Sequence, residues 1–229
     1  MKSTHLHRWR QAVSNSTLLA ILCAIALVGC DEREPVATPP TVDLSEAPIG
    51  PLFARIRTAN GEIRVRLRPD EAPVTCANFV NLVDRGFFDG LRFYRHSRVI
   101  RQAGNPYHDP ERRWSPGYTL TPEFSPDLRF DVGGRLAMLR VNDDPTAPVR
   151  PNEFFLTTKP QTERFTFVYP IFGEVVEGQE VVDRIRLDDP IEEIVIEGDA
   201  RPLLERHRDR IGVWNEQLDK TELGRRRDG

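Results

Sequence analysis

Residues 87–106 contain the side chains whose types and spacing best suit chemistry. Arg95 ends the run FFDGLRFYR, which holds neither a serine or cysteine nucleophile nor a cluster of metal ligands, and Gln102 opens the run QAGNP. Such a set suits a reaction that makes and breaks no covalent bond. Rotation about an X-Pro peptide bond is of this kind, with a barrier of roughly 18–20 kcal/mol from conjugation of the nitrogen lone pair. A guanidinium only donates hydrogen bonds, so Arg95 is a candidate donor to a prolyl nitrogen that loses conjugation.

Several motifs in one order give the chain a family resemblance. FYR, which ends at Arg95, and QAGN, which begins at Gln102, resemble the Phe-His-Arg and Gln-Gly-Gly-Asp signatures of the cyclophilins, a family of peptidyl-prolyl cis-trans isomerases. The other matching segments are GEIRVRL, APVTCANFVNLVDRG, GYTLTPEF, NEFFLTT and FGEVVEGQEVVDRI. The resemblance covers residues 52–197. It implies isomerisation of X-Pro bonds in proline-containing polypeptides, without a cofactor.

The resemblance also implies roles for five side chains. Arg95 matches the catalytic arginine of the family, and Gln102 matches the glutamine that orients this arginine and the substrate carbonyl. Phe155 matches the phenylalanine on the floor of the proline pocket. Phe165 and Tyr169 stand where the family has a leucine and a histidine, and both keep the pocket wall aromatic or apolar.

Four further candidates lie where the chain departs from the family pattern. The segment after Arg95 is shortened, so Val99 and Ile100 correspond to larger pocket residues of the family only approximately. Arg140 stands in place of an asparagine that contacts the substrate backbone. Glu153 replaces a glutamine, and we expect it to pair with an arginine near the pocket. The shortened segment and Arg140 favour an alternative function, a catalytically weak proline-binding module or holdase in an envelope complex. The intact Arg95, Gln102 and Phe155 favour the isomerase.

The elements that must position these residues are mostly short strands. The predicted strands are 53–58, 62–68, 135–139, 153–157, 171–175 and 191–197, and the predicted internal helices are 73–86 and 179–185. Asn60-Gly61 suits a tight turn between the first two strands. Many short strands with two internal helices predict a closed β-barrel, and the resemblance makes it a mainly β fold, an eight-stranded antiparallel barrel capped by two helices. Residues 52–198 form this domain.

The first 29 residues have the pattern of a targeting segment. Three basic residues precede the apolar run 18–28, which is too short to span a membrane, and LVGC ending at Cys30 has the form of a lipoprotein cleavage box. Diacylation of Cys30 would give a stable membrane anchor. The alternative is an ordinary signal peptide with an incidental cysteine. Asp31 resembles a signal for retention at the inner membrane, so we expect a lipid-anchored protein on the periplasmic face of a bacterial envelope.

Residues 30–51 are rich in proline and acidic groups, which predicts an extended tether. Removing residues 1–29 takes away three basic and no acidic groups, so the formal charge falls from −3 to −6. This charge does not suggest nucleic acid as a partner. Cys76 shares a predicted helical face with apolar residues, which favours a buried hydrophobe over a reactive thiol.

The C-terminal extension, residues 199–229, contains one predicted helix. Leu204, His207, Ile211, Trp214 and Leu218 recur along one side of it. The pattern favours docking of the helix onto the barrel, and the alternative is a protein partner or dimer contact. No glycine-rich phosphate loop or cysteine and histidine metal cluster is present in the sequence.

Overall fold

The computed structural model describes residues 43–141, 144 and 146–224. The predictions for the signal segment 1–29, for Cys30 and for most of the tether 30–51 lie outside the described residues. Within the described part, no helix is long and apolar enough to cross a membrane.

Eight antiparallel strands form one curled sheet. The strands are β1 (Phe53–Thr58), β2 (Gly61–Leu67), β3 (Arg95–His96), β4 (Ile100–Ala103), β5 (Arg135–Arg140), β6 (Val149–Thr157), β7 (Ile171–Glu177) and β8 (Ile191–Glu197). Their order across the sheet is β3-β4-β6-β5-β7-β2-β1-β8, so β3 and β8 are its two edges. The mainly β architecture with eight antiparallel strands is as predicted.

The closed barrel is not observed, because the two edge strands form no ladder with each other. A single bridge joins Arg92 to Pro190, and the Phe93 amide donates to the Asp189 carbonyl at 3.0 Å. These contacts precede β3 and β8 in the chain. β3 is only two residues long and both are exposed, so it is too short to extend the pairing. The sheet is therefore a curled, open half-barrel, and the prediction of closure was wrong.

The first hairpin follows directly from the sequence pattern. Gly61 has φ = +126°, a conformation that side-chain-bearing residues rarely adopt, and it follows Asn60 at the turn. Ile63 and Val65 alternate with polar neighbours and are fully buried. On the other face, Arg64 forms ion pairs with glutamates of β7 and β8. The arginines of β2 thus form a solvated strand face.

Helix α1 (Pro73–Asp84) closes one end of the half-barrel. Proline stands at its first turn, as predicted. Its own N-terminal flank provides no side-chain cap, and the Glu123 carboxylate instead accepts from the backbone amides of Val74 and Thr75 at 3.1 and 2.8 Å. Cys76 is fully buried, and burial raises the pKa of its thiol, so it behaves as the predicted small hydrophobe.

Two shorter helices lie between the later strands. The predicted second helix is α3 (Gln179–Arg184), which begins after Gly178, a residue with φ = +86°. The one-turn helix α2 (Thr162–Phe165) was not predicted. It leads into the segment that carries Tyr169.

The C-terminal extension is two helices, α4 (Arg201–Arg206) and α5 (Arg208–Leu218), which are separated at His207. Leu203, Trp214 and Leu218 are buried, and the Trp214 ring stacks on Tyr118 with 5.5 Å between centroids. The Asn81 amide on α1 donates to Asn215 at 2.9 Å. The apolar side of the C-terminal extension thus packs against the domain itself. A protein partner for the extension stays a prediction from the sequence.

The buried residues form two clusters on opposite faces of the sheet. The larger cluster lies between the concave face and α1, and it includes Phe79, Phe88 and Phe154. The smaller cluster lies on the other face and includes Phe155 and Phe165. Strand alternation places Phe154 and Phe155 in different clusters, because successive side chains point to opposite faces.

Candidate active site

A small pocket opens in the second cluster, and it contains most of the predicted site residues. Its volume is about 50 Å³. It is lined by Arg95, Ile100, Gln102, Leu139, Phe155, Arg164, Phe165 and Tyr169. The structure thus brings together six of the nine predicted catalytic and substrate-binding residues.

The register of the sheet explains why the three principal candidates lie close together. Arg95 on β3 is paired with Gln102 on β4, and Gln102 is paired in turn with Phe155 on β6. Paired residues of neighbouring strands present their side chains on the same face. One row across three strands therefore carries the donor, its orienting amide and the apolar floor.

Aromatic contacts fix the floor and one wall of the pocket. The Phe155 ring stacks on Phe130, with centroids 6.1 Å apart and an interplanar angle of 12°. Phe165 and Tyr169 meet the Phe155 ring edge-on, at 5.8 and 5.2 Å between centroids. Edge-to-face and stacked pairs are favourable arrangements for aromatic rings. These ring contacts hold the side chains of an apolar wall in fixed positions.

Arg95 and Gln102 meet at the edge of this wall. Arg95 is exposed, and its Nη1 donates to Gln102 Oε1 at 3.3 Å. Gln102 is fully buried. The arginine therefore has a charged head at the pocket mouth while its partner is fixed by the protein interior.

A hydrogen-bond chain behind Gln102 fixes the orientation of its amide. Gln102 Nε2 donates to the Tyr94 hydroxyl, and this hydroxyl donates to Glu153 Oε2. Burial raises the pKa of Tyr94, and the nearby Glu153 carboxylate adds to the effect, so the phenol keeps its proton and remains a donor. Gln102 Nε2 thus faces inward and Gln102 Oε1 faces Arg95.

Glu153 forms the inner end of this chain. It is completely buried, and Arg113 Nη1 donates to its Oε2 at 2.8 Å while Arg150 Nη1 donates to its Oε1 at 3.3 Å. Two guanidinium groups therefore compensate the buried carboxylate. The predicted pairing of Glu153 with an arginine is confirmed, and Glu153 acts on the pocket through Tyr94 rather than by lining it.

The QAGN motif also has a structural explanation beyond Gln102. Gly104 has φ = +98°, and a Cβ at this position would lie 1.9 Å from the Asn152 carbonyl oxygen. Asn105 is fully buried, and its amide group donates to the carbonyls of Asp109 and Arg112 at 2.7 and 2.8 Å. Asn105 thereby holds the loop that carries Arg113.

Arg140 and Val99 lie outside the pocket lining. Arg140 Nε donates to the Ala147 carbonyl at 2.6 Å, and Arg140 Nη1 donates to the Val168 carbonyl at 3.2 Å. Burial lowers the pKa of this guanidinium. Arg140 thus braces two loops beside the site, and Val99 is half-buried against the aromatic cluster.

Leu139, Arg164 and Tyr94 were not among the site residues predicted from the sequence. Leu139 lines the pocket because it shares a face of β5 with Ala137, and strand alternation applied to β5 would have selected it over Arg140. Tyr94 was read only as part of the FYR motif. Tyr94 could have been recognised from its chemistry, because a tyrosine in an apolar run is expected to be buried and its hydroxyl then needs a hydrogen-bond partner. Among the described residues, no group of three histidine, cysteine or acidic side chains could hold a metal ion.

Comparison with known proteins gives one family. The model described as "Cyclophilin type peptidyl-prolyl cis-trans isomerase/CLD" matches residues 53–203. Peptidyl-prolyl cis-trans isomerase B of Streptomyces anulatus is 35% identical over 172 residues, covering 64% of this chain and 94% of the relative. Peptidyl-prolyl cis-trans isomerase B of Bacillus subtilis is 31% identical over 138 residues, covering 60% and 92%.

The similarity extends to solved structures. A cyclophilin-type peptidyl-prolyl cis-trans isomerase of Cryptosporidium parvum superposes with a TM-score of 0.58 at 23% identity, covering 66% of this chain and 99% of that chain. At this identity the superposition shows the fold alone, and the sequence relatives carry the activity. Both of those relatives are matched over more than nine tenths of their length. This chain belongs to the cyclophilin family of peptidyl-prolyl cis-trans isomerases.

Proposed function

We propose that this isomerase acts through Arg95, which is oriented by Gln102 over the aromatic pocket. The observation that carries the proposal is the row in which Arg95, Gln102 and Phe155 are register neighbours on three adjacent strands. A permanently charged donor, a fixed acceptor that orients it, and an apolar floor are together what rotation about a prolyl bond requires.

The mechanism needs no group beyond these side chains. The prolyl ring packs against Phe155 between Phe165 and Tyr169, which leaves the preceding carbonyl group to rotate. As the peptide bond twists, the prolyl nitrogen loses conjugation and gains a lone pair that can accept a hydrogen bond. Arg95 donates to this lone pair, and because the planar ground state offers no such acceptor, the interaction favours the twisted state over either isomer.

The chain from Gln102 to Glu153 preorganises this donor. With Gln102 Nε2 engaged by Tyr94, Gln102 Oε1 is directed toward Arg95 before substrate arrives. A preorganised donor requires no reorientation as the barrier is crossed. Loss of one such donor typically costs on the order of 10²- to 10³-fold in rate.

A protease-coupled assay on a proline-containing tetrapeptide tests the proposal. The protease cleaves only the trans isomer, so the slow phase reports cis-to-trans conversion, which takes tens to hundreds of seconds without catalysis. We expect acceleration proportional to the concentration of the purified full chain. A rate equal to the uncatalysed one, at concentrations where calorimetry detects peptide binding, would reject the mechanism.

That same result would support the second candidate, a proline-binding module or holdase. The sequence favoured it because of the shortened segment after Arg95 and the arginine at position 140. Arg140 donates to two backbone carbonyls outside the pocket lining, so it does not block a prolyl ring. The shortened segment is the remaining argument for the second candidate.

We further propose that the protein is lipid-anchored through Cys30 on the periplasmic face of the bacterial envelope, at the inner membrane, and assists the folding of exported proteins. The sequence LVGC followed by Asp31 supports this proposal. Cys30→Ala should release the protein from the membrane fraction on a salt wash, because alanine cannot accept the diacylglycerol. Retention of the substituted protein in that fraction would contradict the anchor without affecting the assignment of the isomerase.

A further inference from the structure

A second, open pocket lies on the opposite face of β4 from the prolyl pocket. Its volume is about 440 Å³. It is lined by Asn60, His96, Arg101, Asp183, Arg184, Ile185 and Arg186. Arg101 stands between Ile100 and Gln102 on β4, and its register partner Leu156 belongs to the main core. The pocket therefore lies on the side of β4 that faces the main core, opposite the face that carries Gln102.

Arg101 is the unusual residue of this pocket, because it is a buried charge without an acidic partner. Only 6% of it is exposed. Its guanidinium donates to the carbonyls of Ser97 and Ile100 and, at 3.1 Å, to that of Asp183, and its Nε has no partner. Burial lowers the pKa of Arg101, and the Asp183 carboxylate opposes this only in part. Within the described residues, no carboxylate forms an ion pair with it.

The walls of the pocket add positive charge. Arg184 is the last residue of α3, and Arg186 lies just beyond the helix. Both are exposed, and within the described part of the chain Arg184 donates to the Asn60 carbonyl at 3.2 Å. The two nearby carboxylates, Asp183 and Asp189, accept hydrogen bonds from groups other than the three arginine side chains. Asp183 accepts from the Gln179 amide at 3.1 Å, and Asp189 accepts from the Asn60 amide and the Arg186 backbone at 2.6 and 2.7 Å.

We propose that this pocket binds a phosphate-class oxyanion between Arg101 and the two exposed arginines. A guanidinium presents its donors in a planar fork that suits phosphate oxygens. The three carbonyl oxygens that accept from Arg101 carry no formal charge, and an oxyanion would supply a charged partner for the buried guanidinium. The group could be free phosphate, a soluble phosphate ester or a lipid headgroup, which share this chemistry.

The position of the pocket links it to the catalytic residues. His96 and Arg101 form the register pair next to Arg95 and Gln102 in the short β3–β4 ladder. Arg101 and Gln102 are consecutive residues of β4 and face opposite sides of it. An oxyanion bound to Arg101 would therefore lie across this strand from Gln102.

Calorimetric titration of the full chain with inorganic phosphate tests the proposal. All arms carry Cys30→Ala so that no lipid attachment contributes. We expect saturable binding with a Kd on the order of 1 mM or tighter, at least tenfold weaker in the double variant Arg184→Ala, Arg186→Ala. The matched control is Arg66→Ala with Arg210→Ala, two exposed arginines outside this pocket, and it should bind as the unsubstituted chain does. Arg101→Met should abolish binding, and isomerase activity checks that each variant is folded.

The source of the phosphate is resolved by two further arms. Binding of glycerol phosphate with similar affinity would identify a soluble ester as a sufficient ligand. Flotation with phosphatidylglycerol vesicles but not with phosphatidylcholine vesicles, lost in the double variant, would identify a headgroup. No saturable phosphate binding, or equal affinity in the double variant and the matched control, would overturn the site, because the arginines that define it would then have no part in binding.

Discussion

Replacement of Tyr94 by phenylalanine is the sharpest test of the hydrogen-bond chain that orients Gln102. The substitution removes one oxygen atom and keeps the ring, so packing against the surrounding strands is preserved. Two hydrogen bonds disappear with this oxygen, the one from Gln102 and the one to Glu153. What remains for Gln102 Nε2 is a contact of 3.5 Å with Glu153 Oε2, which is at the limit of a hydrogen bond.

The expected magnitudes follow from these contacts. A hydrogen bond to a charged group contributes about 1.5–3 kcal/mol, so we expect the free energy of unfolding to fall by about 2 kcal/mol. Glu153 keeps its two arginines, which limits the loss. For catalysis, Gln102 loses the partner that distinguishes its two amide orientations. We expect kcat/KM to fall about tenfold, which corresponds to about 1.4 kcal/mol of transition-state stabilisation.

Tyr118→Phe provides the matched control. Tyr118 is partly buried, and its hydroxyl donates to Asn78 Oδ1 at 2.8 Å. Its ring stacks on Trp214 of α5, away from the pocket. Removal of the hydroxyl should cost about 1 kcal/mol of stability, as for a neutral hydrogen bond, and leave kcat/KM unchanged. Urea unfolding gives the stability of both variants, and the tetrapeptide assay gives their activity.

The reasoning would be refuted by a Tyr94→Phe protein with wild-type kcat/KM. Gln102 would then be oriented by its neighbours on β3 and β6 alone. A loss of activity equal to that of Tyr118→Phe would also count against it, because it would reflect general destabilisation rather than the loss of a positioned amide.

Three further outcomes are expected. Arg95→Ala should lower kcat/KM by about 10²- to 10³-fold with unchanged circular dichroism, whereas the neighbouring exposed Arg98→Ala should cost far less; equal losses would reassign the donor. Trp214→Ala should lower the free energy of unfolding by about 3–5 kcal/mol, and an unchanged urea midpoint would mean that the terminal helices lie outside the cooperative unit. His207 has a pKa below 6.5 because of burial, so the unfolded chain binds more protons and the free energy of unfolding should fall as the pH drops below 6.5. His207→Gln should reduce that slope, and an unaltered slope would contradict the assignment.

Much of the fold could be predicted because its signals are local. β1 and β8 have the predicted bounds, and α1 begins at the predicted proline. The missed elements have weak local signals. β3 contains two residues, α2 is a single turn, and β4 is buried on both faces, so it shows no alternation. The open seam could not be predicted, because closure depends on strand length and on contacts between segments far apart in sequence.

The site residues that could be predicted are those that stand in a recognisable sequence motif. Arg95, Gln102 and Phe155 lie together because the register pairs them, and register is a property of the whole sheet rather than of any motif. Arg140 was assigned to the pocket because it replaces an asparagine of a family motif. In the structure it donates to the Ala147 and Val168 carbonyls and is not among the lining residues, so its role in substrate binding stays a prediction. The roles of Tyr94 and Glu153 depend on partners brought together only by folding.

Because the first strand pairs with the last, the sheet of this protein cannot be completed until nearly the whole domain has been synthesised. β1 pairs with β8, which follows about 130 residues later in the chain. At roughly 5–20 residues per second, the ribosome takes on the order of ten seconds to supply that distance. During this interval the β1–β2 hairpin has an unpaired edge that can add a foreign strand. Until residue 197 has emerged, β8 is not available to cover this edge.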